Sequence, residues 1–258
     1  AEQLGNASQE SVLVSVLGHA AEDTFGLAII VVLAIMAVIS VMVMLMKSIY
    51  LRRVEKDNRA FLEAYYELGT GDPAMLDQTD DEYDSEMKDA PISQAIFGNG
   101  DHFDSSPIYH VYHKGIHEVR TRVEQNVSLN TDTTLSSHAT DAIRASMDAF
   151  LIREMQKINA QMVLLTIAIS GGPFIGLLGT VVGVMITFAG IAQAGDVNIN
   201  AIAPGMAAAL LATVAGLAVA IPALFGYNYL GSKIKNVSAD MHVFVDEFIT
   251  RISEHYGR

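Results

Sequence analysis

Three long stretches without a charged side chain constrain this sequence most: residues 25–46, 162–192 and 202–230. Each reaches or exceeds the roughly 20 residues that an α-helix needs to cross the hydrocarbon core of a bilayer. Buried helices of a large soluble domain rarely give three such blocks, and only 17% of the 258 residues are charged. We therefore expect an all-α membrane protein with three transmembrane helices.

Charged residues beside these blocks predict the orientation of the chain. The first block is preceded by Glu22 and Asp23, with no Lys or Arg before it. Cytoplasmic flanks carry an excess of Lys and Arg, so the N-terminus is expected outside and the C-terminus in the cytoplasm. The basic residues that set this orientation are Lys47, Arg52, Arg53 and Lys56 after the first block, Arg153 and Lys157 before the second, and Lys233 and Lys235 after the third.

This topology divides the chain into segments with separate expectations. The predicted segments are an external region over 1–24, a first span over 25–46, a cytoplasmic helical domain over 47–161, a second span over 162–192, a short external loop over 193–201, a third span over 202–230 and a cytoplasmic C-terminal helix over 231–258.

Helical periodicity continues beyond the second and third spans into the cytoplasm. Residues 136–162 lack Gly and Pro, and Ile143, Met147, Leu151 and Met155 recur at helical spacing. Nothing in the pattern predicts a break, so we expect one continuous helix that enters the second span. The third span should continue through a stripe formed by Val243, Phe244, Phe248 and Ile252. Long helices that project from a membrane usually pack into a bundle.

An acidic segment interrupts the cytoplasmic domain. Residues 72–89 carry eight acidic side chains and one lysine, too few apolar residues to join a core. We interpret the segment as a mobile loop. A calcium site is the alternative, but the spacing matches no EF-hand loop and has no glycine at the turn.

Histidines offer the other candidate metal ligands. His110, His113 and His117 fall at i, i+3 and i+7, with His102 upstream. Such spacing could place imidazoles on one helix face around a metal ion, but a polar face of a cytoplasmic helix is the commoner meaning of the pattern. We expect no metal and no cofactor. The chain has no cysteine, which excludes a disulfide, a thiolate nucleophile and a cysteine metal site. The formal net charge of −13 disfavours nucleic acid as a partner.

Small and weakly polar residues form one stripe on each of the last two spans. Small residues let helix backbones approach closely in lipid, where no hydrophobic force drives association. The stripes could serve packing within one chain, or they could line a central passage in an oligomer. Their members are Gly176, Gly179, Thr180, Gly183, Thr187 and Gly190 on the second span, and Gly205, Ala209, Ala212, Thr213, Gly216 and Ala220 on the third.

Ionisable carboxylates are missing from these two spans. Between residues 162 and 230 the only one is Asp196, which lies in the predicted loop. Movement of ions across a membrane normally requires a titrating group within it. Either this chain moves no ions, or a partner helix brings the carboxylate and this chain supplies hydroxyl groups around it.

The motifs of both spans resemble the ExbB/TolQ/MotA proton-channel family, and its ExbB/TolQ branch most. The run P-x-x-G-L-x-G-T-V-x-G extends from Pro173 to Gly183. The motif A-P-G at 203–205 is followed by A-L-x-A-T-x-x-G-L at 209–217 and by A-I-P-A-x-x-x-Y-N at 220–228. The resemblance covers residues 150–235 by sequence and the rest of the chain by layout alone.

This resemblance implies a multi-pass protein of the bacterial inner membrane that forms a homopentameric ring in membrane lipid. The ring would surround single-span ExbD/TolR-like subunits that carry an intramembrane aspartate, and proton flow would energise a TonB- or TolA-like protein. The family's pore threonines fall on Thr180 and Thr213. We also assign Thr187 and Ala208 to the pathway. We assign the following residues to helix packing: Gly176, Gly179, Gly183, Pro204, Gly205, Gly216, Pro222 and Asn228.

One position departs from the family pattern. ExbB and TolQ proteins usually carry a glutamate after the A-P-G motif, where this chain has Ala208. The pathway here would then depend more on the two threonines and on the partner's aspartate.

Two further function classes differ from a proton channel. A structural membrane scaffold would use the same stripes for packing alone. A membrane enzyme would need polar catalytic pairs near the membrane, and none stand out, so we expect a protein that is not an enzyme.

Overall fold

The described residues of the computed structural model, 24–67, 103, 105–128, 134–194 and 199–256, form helices and no β-strand. The all-α prediction is therefore confirmed for this part of the chain. The predicted acidic loop, His102, residues 1–23 of the first external segment and residues 195–198 of the second lie outside the described residues. The helices are α1 (Thr24–Glu67), α2 (Pro107–Ser128), α3 (Ser137–Asn159), α4 (Met162–Ala194) and α5 (Ile199–Tyr256).

Three of these helices are long and apolar enough to cross a membrane: α1, α4 and α5. Each contains one of the predicted apolar blocks. Helix α5 has 58 residues and continues to Tyr256, which confirms the predicted extension of the third span. Helix α1 likewise continues to Glu67, an extension that we did not predict.

The helices are divided between two compact units. Among the described residues, the apolar unit comprises those up to Leu45 and those from Gln161 to Tyr229, and the charged unit comprises those from Met46 to Ala160 and those from Leu230 onward. Helices α2 and α3 belong to the charged unit, whereas α4 belongs to the apolar unit. Helices α1 and α5 contribute residues to both.

The expectation of one continuous helix leading into the second span is wrong. Helix α3 ends at Asn159. Ala160 leaves the helical conformation with φ −52° and ψ 146°, and its N–H donates to the Lys157 carbonyl at 3.1 Å. Gln161 then has a φ of 71°, in the left-handed region. That conformation costs a non-glycine residue roughly 1–2 kcal/mol and is not signalled by any local motif. Packing on each side offsets the cost, because Ile158 and Leu165 are fully buried.

Aromatic side chains form the core of the charged unit. Phe61 on α1 lies 5.3 Å from Tyr112 on α2 and 5.8 Å from Phe244 on α5, measured between ring centroids. Helix α2 can approach this cluster because a Cβ at Gly115 would lie 2.8 Å from Phe248. Burial of such rings is the main source of stability for helices that meet in water.

The apolar unit has a core of smaller side chains. Its buried cluster contains three alanines among six residues, and these join α1, α4 and α5: Ile29, Leu33, Ala168, Ala212, Val219 and Ala223. Large apolar side chains of this unit point outward instead, as Phe174 does with 71% of its surface exposed. An apolar exterior around a small-residue core is the arrangement expected in lipid.

Candidate functional site

Glycines bring α4 and α5 into direct backbone contact. A Cβ on Gly172 would lie 2.8 Å from the Gly216 carbonyl oxygen, and one on Gly176 would lie 2.8 Å from the Ala212 carbonyl oxygen. Real Cβ atoms do not approach backbone atoms this closely, so only glycine fits without a shift of the helices. The residue numbers in contact rise along α4 while they fall along α5, so the two helices run antiparallel in a fixed register.

The same register continues along both helices. A Cβ on Gly183 would lie 2.7 Å from the Ala209 Cβ, and one on Gly205 would lie 2.6 Å from the Thr187 hydroxyl oxygen. Gly179 is close to two helices, since its Cβ would lie 2.6 Å from the Ala212 Cβ and 3.2 Å from Ile29 on α1. Gly190 differs, because its Cβ would meet no atom within 4 Å.

Thr180 and Thr213 face each other across this close contact. Their hydroxyl groups are hydrogen-bonded to one another. The Thr180 hydroxyl also lies 3.2 Å from the carbonyl oxygens of Gly176 and Ala209, and the Thr213 hydroxyl lies 3.2 Å from the Gly176 carbonyl oxygen. The sequence placed both threonines in mid-stripe, but it gave no sign that they bind each other.

The hydroxyl protons and acceptor oxygens at Thr180 and Thr213 determine which partners the pair can bind. Two hydroxyl groups have two protons to donate, and the neighbouring carbonyls and the opposite hydroxyl supply acceptors for both. Each hydroxyl oxygen keeps acceptor capacity, and neither side chain is fully buried. The pair can therefore reorient to bind a water molecule or a carboxyl group, but it cannot itself gain or lose charge at physiological pH.

The other two assigned pathway residues lie apart from this pair. The Thr187 hydroxyl donates to the Gly183 carbonyl of its own helix at 2.8 Å. Ala208 is half-buried and lies five residues before Thr213, about 140° away around α5. The structure thus joins Thr180 to Thr213 and leaves Ala208 on another face of the helix.

The motif residues assigned to packing divide into two groups. Pro204 and Gly205 are half-buried, whereas Pro222 and Asn228 are exposed in the single chain. The outward position of Asn228 is notable because an amide on the surface of an apolar helix needs a polar partner or water.

The histidines of α2 do not share one environment. Nδ1 of His110 lies 3.4 Å from Glu154, His113 is buried beside the Tyr109 ring, and His117 is exposed. Among the described residues no group of three or more possible ligands could hold a metal ion.

Glu154 is a buried carboxylate that no sequence motif marks. Its side chain is only 5% exposed, yet it contacts His110 on α2 and accepts a hydrogen bond from Lys157 at 2.7 Å. Burial alone would raise its pKa, but the hydrogen bonds and charges of His110 and Lys157 together hold the pKa below its ordinary value. The available signal was its spacing, since Glu154 is in register with Leu151 and Ile158 on the buried face of α3.

A scan against models of protein families places one match on this chain. Residues 105–243, more than half of the chain, match the model described as the MotA/TolQ/ExbB proton channel family. The match includes α4, the first 45 residues of α5 and both helices that precede them.

Curated proteins with related sequences include TolQ and ExbB proteins. The Tol-Pal system protein TolQ of Pseudomonas aeruginosa is 31% identical over 143 residues, which are 55% of this chain and 59% of that protein. TolQ of Haemophilus influenzae is 37% identical over 105 residues, 41% of this chain and 46% of that protein. The biopolymer transport protein ExbB of Salmonella typhimurium is 49% identical over 69 residues, 27% of this chain and 28% of that protein. The matched regions thus cover from about a quarter to somewhat more than half of these relatives.

Proposed function

This chain belongs to the MotA/TolQ/ExbB proton channel family, and from that premise we propose that it is a proton-channel and motor subunit of a bacterial inner membrane. It forms a ring of five copies around ExbD/TolR-like helices. Proton flow through the complex drives work on a TonB- or TolA-like protein, for outer-membrane transport or envelope maintenance.

One observation carries this proposal: two hydroxyl groups meet in the middle of two apolar segments, residues 162–192 of α4 and 202–230 of α5, that contain no carboxylate of their own. Thr180 and Thr213 are hydrogen-bonded across the contact of α4 and α5, and the only carboxylate between residues 162 and 230 is Asp196. A proton path needs a group that titrates within the membrane. A partner that brings an aspartate to this pair completes the site.

The hydroxyl groups then have a defined role beside the partner's aspartate. They donate hydrogen bonds to the ionised carboxylate, or accept one from its protonated form, without changing their own charge. The carboxyl group keeps hydrogen-bond partners in both its ionised and its protonated state. The free-energy cost of placing it in the membrane is therefore lower in both states. Between residues 162 and 230 this chain has no carboxylate except Asp196, which leaves little on this chain to select sodium, so the transported ion is H⁺.

Ring formation is supported by the outward surface of the apolar unit. Small residues form the contact between α4 and α5, while Val181, Met185 and Leu210 remain exposed. These side chains contact lipid or neighbouring copies. Closed cyclic symmetry is the usual solution for an assembly around a passage.

Valine substitutions at the two threonines test the proposal. Valine matches the shape of threonine but has no hydroxyl, and one membrane hydrogen bond is worth only about 0.6 kcal/mol on average. We expect Thr180→Val and Thr213→Val to assemble normally by native mass spectrometry. Proton flux into vesicles that contain the partner should fall about fivefold or more, since roughly 1 kcal/mol of lost stabilisation is worth that factor.

A matched control is Thr250→Val. The hydroxyl of Thr250 also donates to its own helix, to the Asp246 carbonyl at 2.8 Å, but it lies on an exposed face of the charged unit. Flux should not change in this variant. If both pathway variants conduct as well as the control, the threonines serve packing only and a structural scaffold becomes the better account.

A further inference from the structure

One exposed face of α1 in the charged unit changes from apolar to basic along its length. Ile49 has 52% of its surface exposed, and Arg52, Lys56 and Arg59 follow it as exposed residues. At about 100° per residue, these four positions fall within an arc of about 80° around the helix axis. Between residues 49 and 59 that arc contains no acidic side chain. We call the three cations the basic stripe.

The basic stripe has no anionic partner in the part of the chain that the structure describes. Arg52, Lys56 and Arg59 form no ion pair and no hydrogen bond there. Glu55, which lies between Arg52 and Lys56 in sequence, is bound instead by Lys233, whose Nζ lies 2.7 and 3.0 Å from the two carboxylate oxygens. Arg52 and Lys56 are one helical turn apart, and like charges at this spacing repel each other. An anion that binds both side chains would remove this repulsion.

The three cations differ in their distance from the apolar part of the helix. Ile49 is the last large apolar side chain on this face before the stripe. Arg52 lies about 4.5 Å further along the helix axis, Lys56 about 10 Å and Arg59 about 15 Å. The headgroup region on each side of a bilayer is roughly 5–8 Å thick. Arg52 therefore lies at headgroup depth, Lys56 reaches that depth with its long side chain, and Arg59 lies beyond it.

Phosphate is the anion that fits this pair of side chains. The planar guanidinium of Arg52 can donate two parallel hydrogen bonds to phosphate oxygens, and the ammonium of Lys56 adds a second positive charge. Ile49 provides an apolar contact for the upper part of an acyl chain. A zwitterionic lipid brings its own cation beside the phosphate, so a lipid with net negative charge gains more from this pair.

We propose that Arg52 and Lys56 bind the phosphate of an anionic phospholipid, such as phosphatidylglycerol, in the leaflet at that end of the first span. Arg59 is not part of the site. The inference goes beyond the proposed function and does not depend on a proton path. A lipid bound in this way fixes the depth at which α1 lies in the membrane.

A tryptophan reporter tests the proposal directly because the chain contains no tryptophan. Ile49→Trp places the reporter beside the site, and Val31→Trp places it near the other end of the first apolar block, where 47% of the valine surface is exposed. The full chain is reconstituted in vesicles of equal parts phosphatidylglycerol and phosphatidylcholine. Bromine in the acyl chains of one lipid, then of the other, quenches the fluorescence, and the ratio of quenching measures which lipid lies beside the reporter.

We expect Ile49→Trp to favour phosphatidylglycerol about fivefold, since one Lys or Arg near an anionic surface contributes a factor of about that size. Val31→Trp should show a ratio near one. Adding Arg52→Gln and Lys56→Gln to the Ile49→Trp chain should bring its ratio close to one as well. Adding Arg59→Gln, which removes the same charge from the same face, should leave the preference unchanged.

Three results would overturn the proposal. Equal quenching by the two lipids at Ile49→Trp would show that no anionic lipid is selected. A loss of preference in Arg59→Gln as large as in Arg52→Gln would show a diffuse positive field and not a site. Weak quenching by both lipids would show that another copy of the chain or a partner protein covers this face. Proton flux is not measured, so each result is separate from the test of the proposed function.

Discussion

The apolar unit and the charged unit hold their helices together in opposite ways. In the apolar unit, backbones touch, as at Gly176, whose Cβ would lie 2.8 Å from the Ala212 carbonyl oxygen. In the charged unit, rings separate the helices, with Phe61 and Tyr112 at 5.3 Å. Burying a ring removes it from water and stabilises the second unit, but lipid is as apolar as a ring and offers no such gain. Close packing of helix backbones is the source of stability that remains in lipid.

The largest effect that tests this comparison is expected from a ring of the charged unit. Phe61→Ala removes a fully buried side chain from the centre of the aromatic cluster. We expect the free energy of unfolding to fall by about 3–5 kcal/mol. The measurement is thermal or denaturant unfolding of the detergent-solubilised protein.

Its control lies in the apolar unit. Phe174→Ala removes the same ring from a position with 71% of its surface exposed, and we expect a loss of less than about 1 kcal/mol. Equal losses for the two phenylalanines would show that the rings of both units contribute to stability in the same way.

A smaller effect is expected when a methyl group is added between α4 and α5. Gly176→Ala places a Cβ against the Ala212 carbonyl and 3.1 Å from the Thr213 Cα, so the helices must separate. Overpacking of this kind costs about 1–3 kcal/mol. Melting temperature of the purified protein gives the readout.

Gly190→Ala provides the comparison on the same helix. A Cβ there would meet nothing within 4 Å, so stability should stay constant or rise slightly through better helix propensity. If Gly176→Ala were as stable as Gly190→Ala, backbone contact would not be what holds α4 to α5.

The smallest expected effect is a pH dependence of stability that arises from a buried charge of the charged unit. The pKa of Glu154 in the folded protein lies below its ordinary value of 4.5. Its hydrogen bonds and its ion pair with Lys157 therefore stabilise the charged unit fully above that value, and the contribution is lost as the pH falls through the folded-state pKa. We expect wild type to be more stable than Glu154→Gln at pH 7, with the difference shrinking toward pH 4.

Exposed Glu63 on α1 supplies the control. Glu63→Gln should follow the wild-type dependence on pH closely. A difference between wild type and Glu154→Gln that stays constant from pH 7 to pH 4 would contradict the role given to the buried carboxylate.

Features that depend on composition were predictable from the sequence. Three helices long enough to cross a membrane follow from the absence of charge over 25–46, 162–192 and 202–230, because no other fold buries such blocks easily. The course of α5 to Tyr256 follows from uninterrupted periodicity. The extension of α1 to Glu67 could have been predicted from the same helical periodicity. Its buried residues there recur at helical spacing: Leu51, Val54, Asn58 and Phe61.

Features that depend on tertiary contact were not predictable. The left-handed Gln161 ends the continuity of α3 and α4, although nothing in the local residues favours it. The hydrogen bond between Thr180 and Thr213 requires the register of two helices, which a stripe of small residues does not specify. Glu154 occupies a buried position because His110, 44 residues earlier, lies against it. Each of these depends on a residue or a contact far along the chain.

The break at Gln161 also sets which parts of the chain must keep helical phase. In α5, Gly205 and Gly216 both lie against α4 and belong to one uninterrupted helix. One inserted residue between them would turn the second glycine about 100° away from its contact. The pair Ala160 and Gln161 is not helical, so an inserted residue there disturbs no helical phase. Insertions and deletions are therefore tolerated more readily at that pair than between Gly205 and Gly216.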